Sequence, residues 1–521
     1  MSGEHIHYDN TAAISAIIYN MRVRSNSFGS LPQWLVRVAF ALVILQPGPL
    51  AAPGRDSPPA QASSGDDPHE LIVRFVNDIQ ANVRRATHQS YGGYRRVRSR
   101  AKGWEVVALP PYADRAEVRR NYIADPHVEH VERNRAVRVA SLTAAAAEAD
   151  GYGYGAASDG EPSERQWWHE RIGLPQLWQQ MKEDGDAGDA GDIVVAVLDT
   201  GIDADHPEFA GNIWDNPCPE GCAECAADGQ DEPLYCKGDF GWDWTDADAA
   251  NPYDDNGHGT HVAGIIGAQG SNETGVAGVA WRVWLLGLKF MDENGDGTVA
   301  DAARAIEDYA LYHEVDIINA SYGSYGSSEL DSLPSSCADM QNQDGRIECE
   351  AIEQAGEQGV LVVAAAGNDG RNNDNSRNMA LPASLPLENI ISVAASNADR
   401  DSDKLADFSN YGRLTTHLAA PGEAIYSTIP DNEYREDSGT SMAVPMVSGL
   451  AALLMQRYNS ARGKPGSDEQ RRERMLKVRE RILGTLACNP DYSATVGQEC
   501  YGGELKGGKE VARNYAGQLL M

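Results

Sequence analysis

From residue 165 onward, short uninterrupted apolar runs alternate with stretches whose apolar residues fall at helical spacing. No other feature constrains the fold as much. IVVAVLDTG (193–201), VWLLGLKF (283–290), EVDIINASYG, VLVVAAAGN, IISVAASN and THLAAPG read as strands. HVAGIIGA (261–268), TVADAARAIEDYALYH (298–313), CEAIEQAGEQG and SMAVPMVSGLAALLMQRY (441–458) read as helices. A strand that is apolar on both faces must be covered on both faces. The expected class is therefore α/β, a mainly parallel central sheet with helices on both sides. Functional loops of such sheets lie beyond the strand C-termini. Asp199 ends one such strand and Asn368 ends another.

The chain before this region divides further. Residues 1–52 hold a short apolar run, VAFALVILQ (38–46), after Arg22, Arg24 and Arg37 and before the small residues Ala51 and Ala52. Basic flank, apolar stretch and small residues together read as a secretory signal, with Met21 as a possible true start. The rival reading is a buried helix of an N-terminal domain. Residues 53–68 form a Pro/Ser/Ala/Gly linker. Residues 69–140 carry strand-like HELIVRFV and GWEVVALP, helical ADRAEVRRNYIAD and a last run, VERNRAVRVA, which suggests a small α+β unit. Residues 141–164 are rich in Ala and Gly and read as a cleavable connector.

Charge excludes some functions. The net charge of −33 repels phosphate backbones and argues against a nucleic-acid partner. No apolar run reaches the ~18–20 residues of a membrane-spanning helix. Residues 69–140 are nevertheless basic by +6, while 141–521 are acidic by −38. That asymmetry predicts attraction between the two parts. No glycine-rich phosphate loop is present, so nucleotide chemistry has no support.

The eight cysteines fall into local groups: Cys218, Cys222, Cys225 and Cys236; Cys337 and Cys349; Cys488 and Cys500. In an exported chain such groups suggest short-loop disulfides, with Cys337–Cys349 and Cys488–Cys500 as natural pairs. The first four allow three pairings, or a zinc site.

Three segments carry the chemistry: VLDTGID with Asp199, DDNGHGTHVAG with His258, and SGTSMAVP with Ser441. A serine hydroxyl needs an imidazole to take its proton, and the imidazole needs a carboxylate to fix its tautomer and stabilise its charged form. Ser441 opens a predicted helix, so its unpaired N–H is available to a developing oxyanion. Asn368 offers a second donor. His261 reads as a structural residue packed on its helix.

These motifs, in this order, resemble the subtilisin-like serine peptidases (subtilases) over roughly 165–521. The stretch 69–140 looks like the inhibitory propeptide of that family. The resemblance implies that Asp199 orients His258, that His258 is general base and then acid, that Ser441 is the nucleophile and that Asn368 donates to the oxyanion. It implies that Gly295, Asp296 and Gly297 on one side, and Ser321, Tyr322 and Gly323 on the other, pair with substrate backbone. Ala365, Ala366 and Gly367 are then expected to line the primary specificity pocket. These small uncharged walls predict large apolar residues before the cut. No cofactor is implied for catalysis. Structural calcium is implied, with Glu208 and Asn272 at family calcium positions.

The chain departs from the family at three places. Met446 follows Pro445 where histidine is common, Tyr322 stands where leucine is common, and 212–250 is longer than in simple relatives. The expected protein is a secreted, monomeric endopeptidase made as a self-processing zymogen that acts on protein or peptide substrates. The rival is a catalytically inactive relative that binds partners. An esterase is disfavoured because the sequence at Ser441 is GTSMA rather than G-x-S-x-G.

Overall fold

The computed structural model describes residues 69–99, 103–140, 165–183, 188–217, 239–245, 251–270, 275–325, 332–399 and 404–484. All of them belong to one compact unit. The proposed signal region, both linkers and six of the eight cysteines lie outside the described residues.

The N-terminal part folds around β1 (Glu70–Phe75), α1 (Ala81–Ser90), β2 (Tyr94–Arg98), β3 (Glu105–Ala108), α2 (Arg115–Ala124) and β4 (Val128–Arg133). Its strands form an antiparallel sheet in the order β2-β3-β1-β4. Successive strand residues point to opposite faces. Leu71, Val73 and Phe75 therefore pack with Val118 and Tyr122 of α2 in a local core. Ile72, on the other face, joins Trp104 and Val106 in a core shared with the larger part of the molecule. A sheet with two apolar faces and helices on only one of them must be covered elsewhere. Asp114 caps α2, its carboxylate accepting from Ala116 and Glu117 N–H at 2.9 and 3.1 Å.

After β5 (Ala136–Val139), described structure resumes with α3 (Trp168–Arg171) and α4 (Leu174–Glu183). Then come β6 (Asp189–Asp199), β7 (Gly241–Asp243), α5 (His258–Gly267), β8 (Arg282–Lys289) and β9 (Asp296–Thr298). Next are α6 (Val299–Ala305), β10 (Ile317–Ala320), β11 (Tyr322–Tyr325), α7 (Arg346–Glu357), β12 (Leu361–Ala365) and β13 (Ala380–Leu381). The series closes with β14 (Ile390–Ser396), β15 (Leu418–Pro421), β16 (Ile425–Ile429), β17 (Glu433–Asp437), α8 (Thr440–Arg462) and α9 (Asp468–Gly484).

Seven strands form a parallel sheet in the order β15-β14-β12-β10-β6-β8-β7. The α/β expectation holds. Along β6, Val195 and Val197 enter the core beneath α5 and α8, whereas Ala196 and Leu198 enter the opposite core with α6 and α7. That is why the strand is apolar at consecutive positions.

Two features depart from the sequence reading. The helix expected over 298–313 gives way after Ala305 to a single wide turn of π type at Ile306–Ala310. Helix α9 was not anticipated, because charged residues dominate it. It buries Met475, Val478 and Ile482, and its buried Arg474 pairs with Asp316. Cys337 and Cys349 form the expected disulfide. Among the described residues, no helix is long and apolar enough to cross a membrane.

Candidate active site

The C-terminal end of β6 delivers Asp199, fully buried. Helix α5 begins at His258, directly after Gly257, whose φ of 99° is a left-handed value suited to glycine. At Gly259 an added Cβ would collide with the Gly201 carbonyl. The glycine lets the start of α5 press against the turn after Asp199. His258 Nδ1 then meets Asp199 Oδ1 at 2.7 Å. Thr200 N–H also donates to that oxygen, at 2.8 Å. Because Nδ1–H is engaged, Nε2 is left as the lone-pair nitrogen, and it has no hydrogen-bond partner. Burial pulls the His258 pKa down, but the Asp199 charge and hydrogen bond outweigh it and leave it above its ordinary 6.5.

Asp254 fixes this loop. Its carboxylate accepts from Thr200 Oγ1, Gly257 N–H and both Thr260 donors at 2.6–2.9 Å. Buried Lys289, next to Asp199 across β6 and β8, donates to the Thr200 carbonyl at 2.7 Å and to Asp255 at 2.5 Å. Sequence reading passed over both residues. For Asp254 the signal was present, as an acidic residue followed by backbone donors at a helix start.

Ser441 lies in the first turn of α8 and is fully buried. Pro445, four residues on, has no N–H to give the Ser441 carbonyl. The Ser321 hydroxyl takes that place, donating to it at 3.0 Å. The Ser441 hydroxyl donates to the Ser321 carbonyl at 2.8 Å rather than to His258. Asn368 is held by its own oxygen, which accepts from Thr440 N–H and Oγ1, both at 2.9 Å. Its Nδ2 is buried without a partner. His261, expected to be structural, donates through Nε2 to the Ile425 and Arg435 carbonyls at 3.0 and 3.1 Å, and burial lowers its pKa to about 4.

Strand β5 runs through the site. On one side Tyr322 pairs with Val139 and Gly323 with Arg138. On the other, Asp296 pairs with Arg138 and Gly297 with Val137, while Gly295 accepts from Val139 N–H at 3.1 Å. Both triplets therefore border one extended segment of the chain itself. Ala140 follows: its N–H donates to the Ser321 carbonyl at 3.2 Å, and its carbonyl accepts from Ser441 N–H at 3.1 Å. Ala365 and Ala366 are fully buried at the end of β12. At Gly367, φ is 104° and a Cβ would collide with the Asn410 side chain.

Of the two expected calcium ligands, Glu208 lies among the described residues. Glu208 Oε1 accepts from the Tyr434 hydroxyl at 2.8 Å and from Val276 N–H at 3.3 Å. Asn272 lies outside the described residues. Among the described residues, no group of three or more His, Cys, Asp or Glu side chains is arranged to hold a metal.

Residues 190–497 match a family described as the subtilase family. Thermitase of Thermoactinomyces vulgaris is 33% identical over 300 residues, covering 57% of this chain and 85% of that protein. An intracellular serine protease of Paenibacillus polymyxa is 35% identical over 295 residues, covering 56% of this chain and 73% of that protein. The crystal structure of a cold adapted subtilisin-like serine proteinase aligns with a TM-score of 0.39 and 27% identity, over 55% of this chain and 81% of that one.

Proposed function

Because the chain belongs to the subtilase family and is a serine endopeptidase, we propose that it is exported as a self-silenced precursor and cuts itself between Ala140 and Ser141. Residues 69–140 are then the inhibitory propeptide, 141–164 a connector that the cut leaves at the new N-terminus, and 165–521 the monomeric peptidase. The observation that carries this reading is the Ala140 carbonyl resting on the Ser441 N–H at the end of a strand held on both edges.

The chemistry follows from the groups in place. His258 Nε2 takes the proton of the Ser441 hydroxyl once that hydroxyl leaves the Ser321 carbonyl. Oγ bonds to the carbonyl carbon, and the carbonyl electron pair moves onto oxygen. Ser441 N–H and Asn368 Nδ2 receive that oxyanion. Asp199 stabilises the imidazolium. His258 then passes the proton to the leaving amine as the C–N bond breaks, leaving an acyl-enzyme on Ser441. A water molecule, deprotonated by His258, releases it. No cofactor enters this sequence.

Ala140 is a small residue at the position before the cut, whereas the pocket walls led us to expect a large apolar one. Both expectations are tested by product sequencing from a peptide library. Structural calcium belongs to the same proposal, with Glu208 as one ligand. Chelation followed by a thermal melt tests it: an unchanged Tm rejects a stabilising ion. Export rests on the basic-then-apolar sequence within 1–52. Relatives' names include both an intracellular protease and an extracellular one, so the test is N-terminal sequencing of protein recovered from the medium. A mature N-terminus at Ser141, absent in Ser441→Ala, supports self-processing. An uncut wild-type chain that hydrolyses casein rejects it.

A further inference from the structure

Tyr322 and Glu348 put polar groups beside a substrate-binding strand, with buried Arg135 and Glu132 close by. Glu348, on the first turn of α7, is fully buried. Its Oε1 accepts from the Tyr322 hydroxyl at 3.0 Å, and its Oε2 has no hydrogen-bond partner. Burial pushes its carboxyl up to about 7. Arg135, 2% exposed, is the cation that opposes this. Its Nη1 donates to Ser324 Oγ at 2.6 Å and to the Tyr325 carbonyl at 3.0 Å, while Nη2 stands 3.6 Å from Glu348 Oε2.

Arg135 precedes β5, which leads into Ala140, and its backbone is in register with the cleft. Its carbonyl accepts from Val299 N–H at 3.0 Å. Side chains alternate along an extended chain, and Arg135 and Val137 are both buried, whereas the Arg138 side chain is 52% exposed. Arg135 thus enters the enzyme five residues before the residue that carries the cut. When the propeptide leaves, Arg135 leaves with it. Glu348, Ser324 and the Tyr325 carbonyl stay, an arrangement of acceptors around a slot shaped by a guanidinium.

We propose that Glu348, Ser324 and the Tyr325 carbonyl form a guanidinium subsite that selects protein substrates with arginine at the sixth residue before the scissile bond. This rests on the cut after Ala140 assigned above. The acceptors stand on separate residues, and a planar fork with five donors reaches several at once where an ammonium serves fewer. A neutral substrate side chain makes neither the ion pair with Glu348 nor the bonds to Ser324 Oγ and the Tyr325 carbonyl. Tyr322 acts by orienting the carboxylate.

The test uses the full chain after it has activated itself, with quenched fluorescent peptides that copy residues 134–145. One keeps arginine at the Arg135 position; the others carry lysine or norleucine there. The subsite predicts a kcat/KM for the arginine peptide about 10- to 100-fold above that for norleucine, from hydrogen bonds to charged groups, with lysine between them. The difference should lie mainly in KM. In Glu348→Gln the arginine-to-norleucine ratio should fall several-fold, the bonds to Ser324 Oγ and the Tyr325 carbonyl remaining. Equal rates on all three peptides in the wild-type enzyme overturn the subsite and leave the peptidase intact. So does a ratio that survives Glu348→Gln. An enzyme that cuts casein but cuts none of the peptides after alanine overturns the register assigned above, and the subsite with it. The wild-type comparison decides the question even if Glu348→Gln does not fold.

Discussion

Residues 128–135 and 136–140 are adjacent in the chain, yet they are held by different means. The second segment is gripped through its backbone, by β9 on one edge and β11 on the other. The first is gripped through side chains. Arg133 donates to buried Asp344 at 2.8 Å through Nε, and its N–H reaches the other oxygen at 3.0 Å. Glu132 accepts from Ile347 N–H at 3.2 Å, at the start of α7, and Asn134 accepts from Ala300 N–H at 3.1 Å, at the start of α6. Both satisfy helix-terminal donors that otherwise lack partners. A backbone grip tolerates many sequences, as a protease cleft must. A side-chain grip identifies one partner, and here that partner is the chain's own N-terminal unit.

The sharpest break in this comparison comes at the point where the backbone grip ends. Ser441→Ala should lower hydrolysis of any peptide by roughly 10⁴-fold or more while leaving docking of 69–140 intact. Peptide turnover and gel analysis of the uncut chain check both halves. Asn368→Ala should lower kcat by about 10²–10³ with little change in KM, because its bond forms mainly in the transition state. Steady-state kinetics showing the loss in KM alone would make Asn368 a ground-state contact.

The side-chain grip is tested by Asp344→Ala, which strands Arg133. Inhibition by a separately made 69–140 peptide should weaken by about 10- to 100-fold, since Asp344 is buried. Arg138 offers the contrast. It meets Asp296 at 2.7 Å, but the two side chains are 52% and 46% exposed. Arg138→Ala should change the same constant by less than about threefold. If these two effects come out equal, the division between the segments is wrong.

The pH profile sharpens the enzyme side. In the proposed mechanism His258 must be neutral to accept the Ser441 proton, and its pKa lies above 6.5 because Asp199 overcomes burial. Activity should therefore be lost as pH falls through a value above 6.5, about tenfold per unit beyond it. A limb centred below 6.5 in kcat/KM would show that burial outweighs Asp199 in the free enzyme.

Much of this could be read from local pattern. A strand apolar at consecutive positions reported a sheet covered on both faces, and Asp199, His258 and Ser441 sat in glycine-rich segments that allow close backbone approach. Helix α9 left a fainter trace, because Met475, Val478 and Ile482 keep helical spacing among many charges. The turn at Ile306–Ala310 left none that we recognise.

What the sequence determined by itself was the α/β class, the residues able to do the chemistry, and the basic character of 69–140 against an acidic remainder. Those properties depend on residue type and near-neighbour spacing, which a chain carries before it folds. The tertiary structure alone decided how they are used. It turned a diffuse charge difference into the particular pairs Arg133–Asp344 and Arg135–Glu348, and it aimed the Ser441 hydroxyl at Ser321. It also turned Glu348, an acid on an amphipathic helix, into a buried carboxylate more than 200 residues from its cation. Such partners are set by packing across long sequence separations, where a carboxylate's cost depends on what surrounds it and not on its neighbours in the chain.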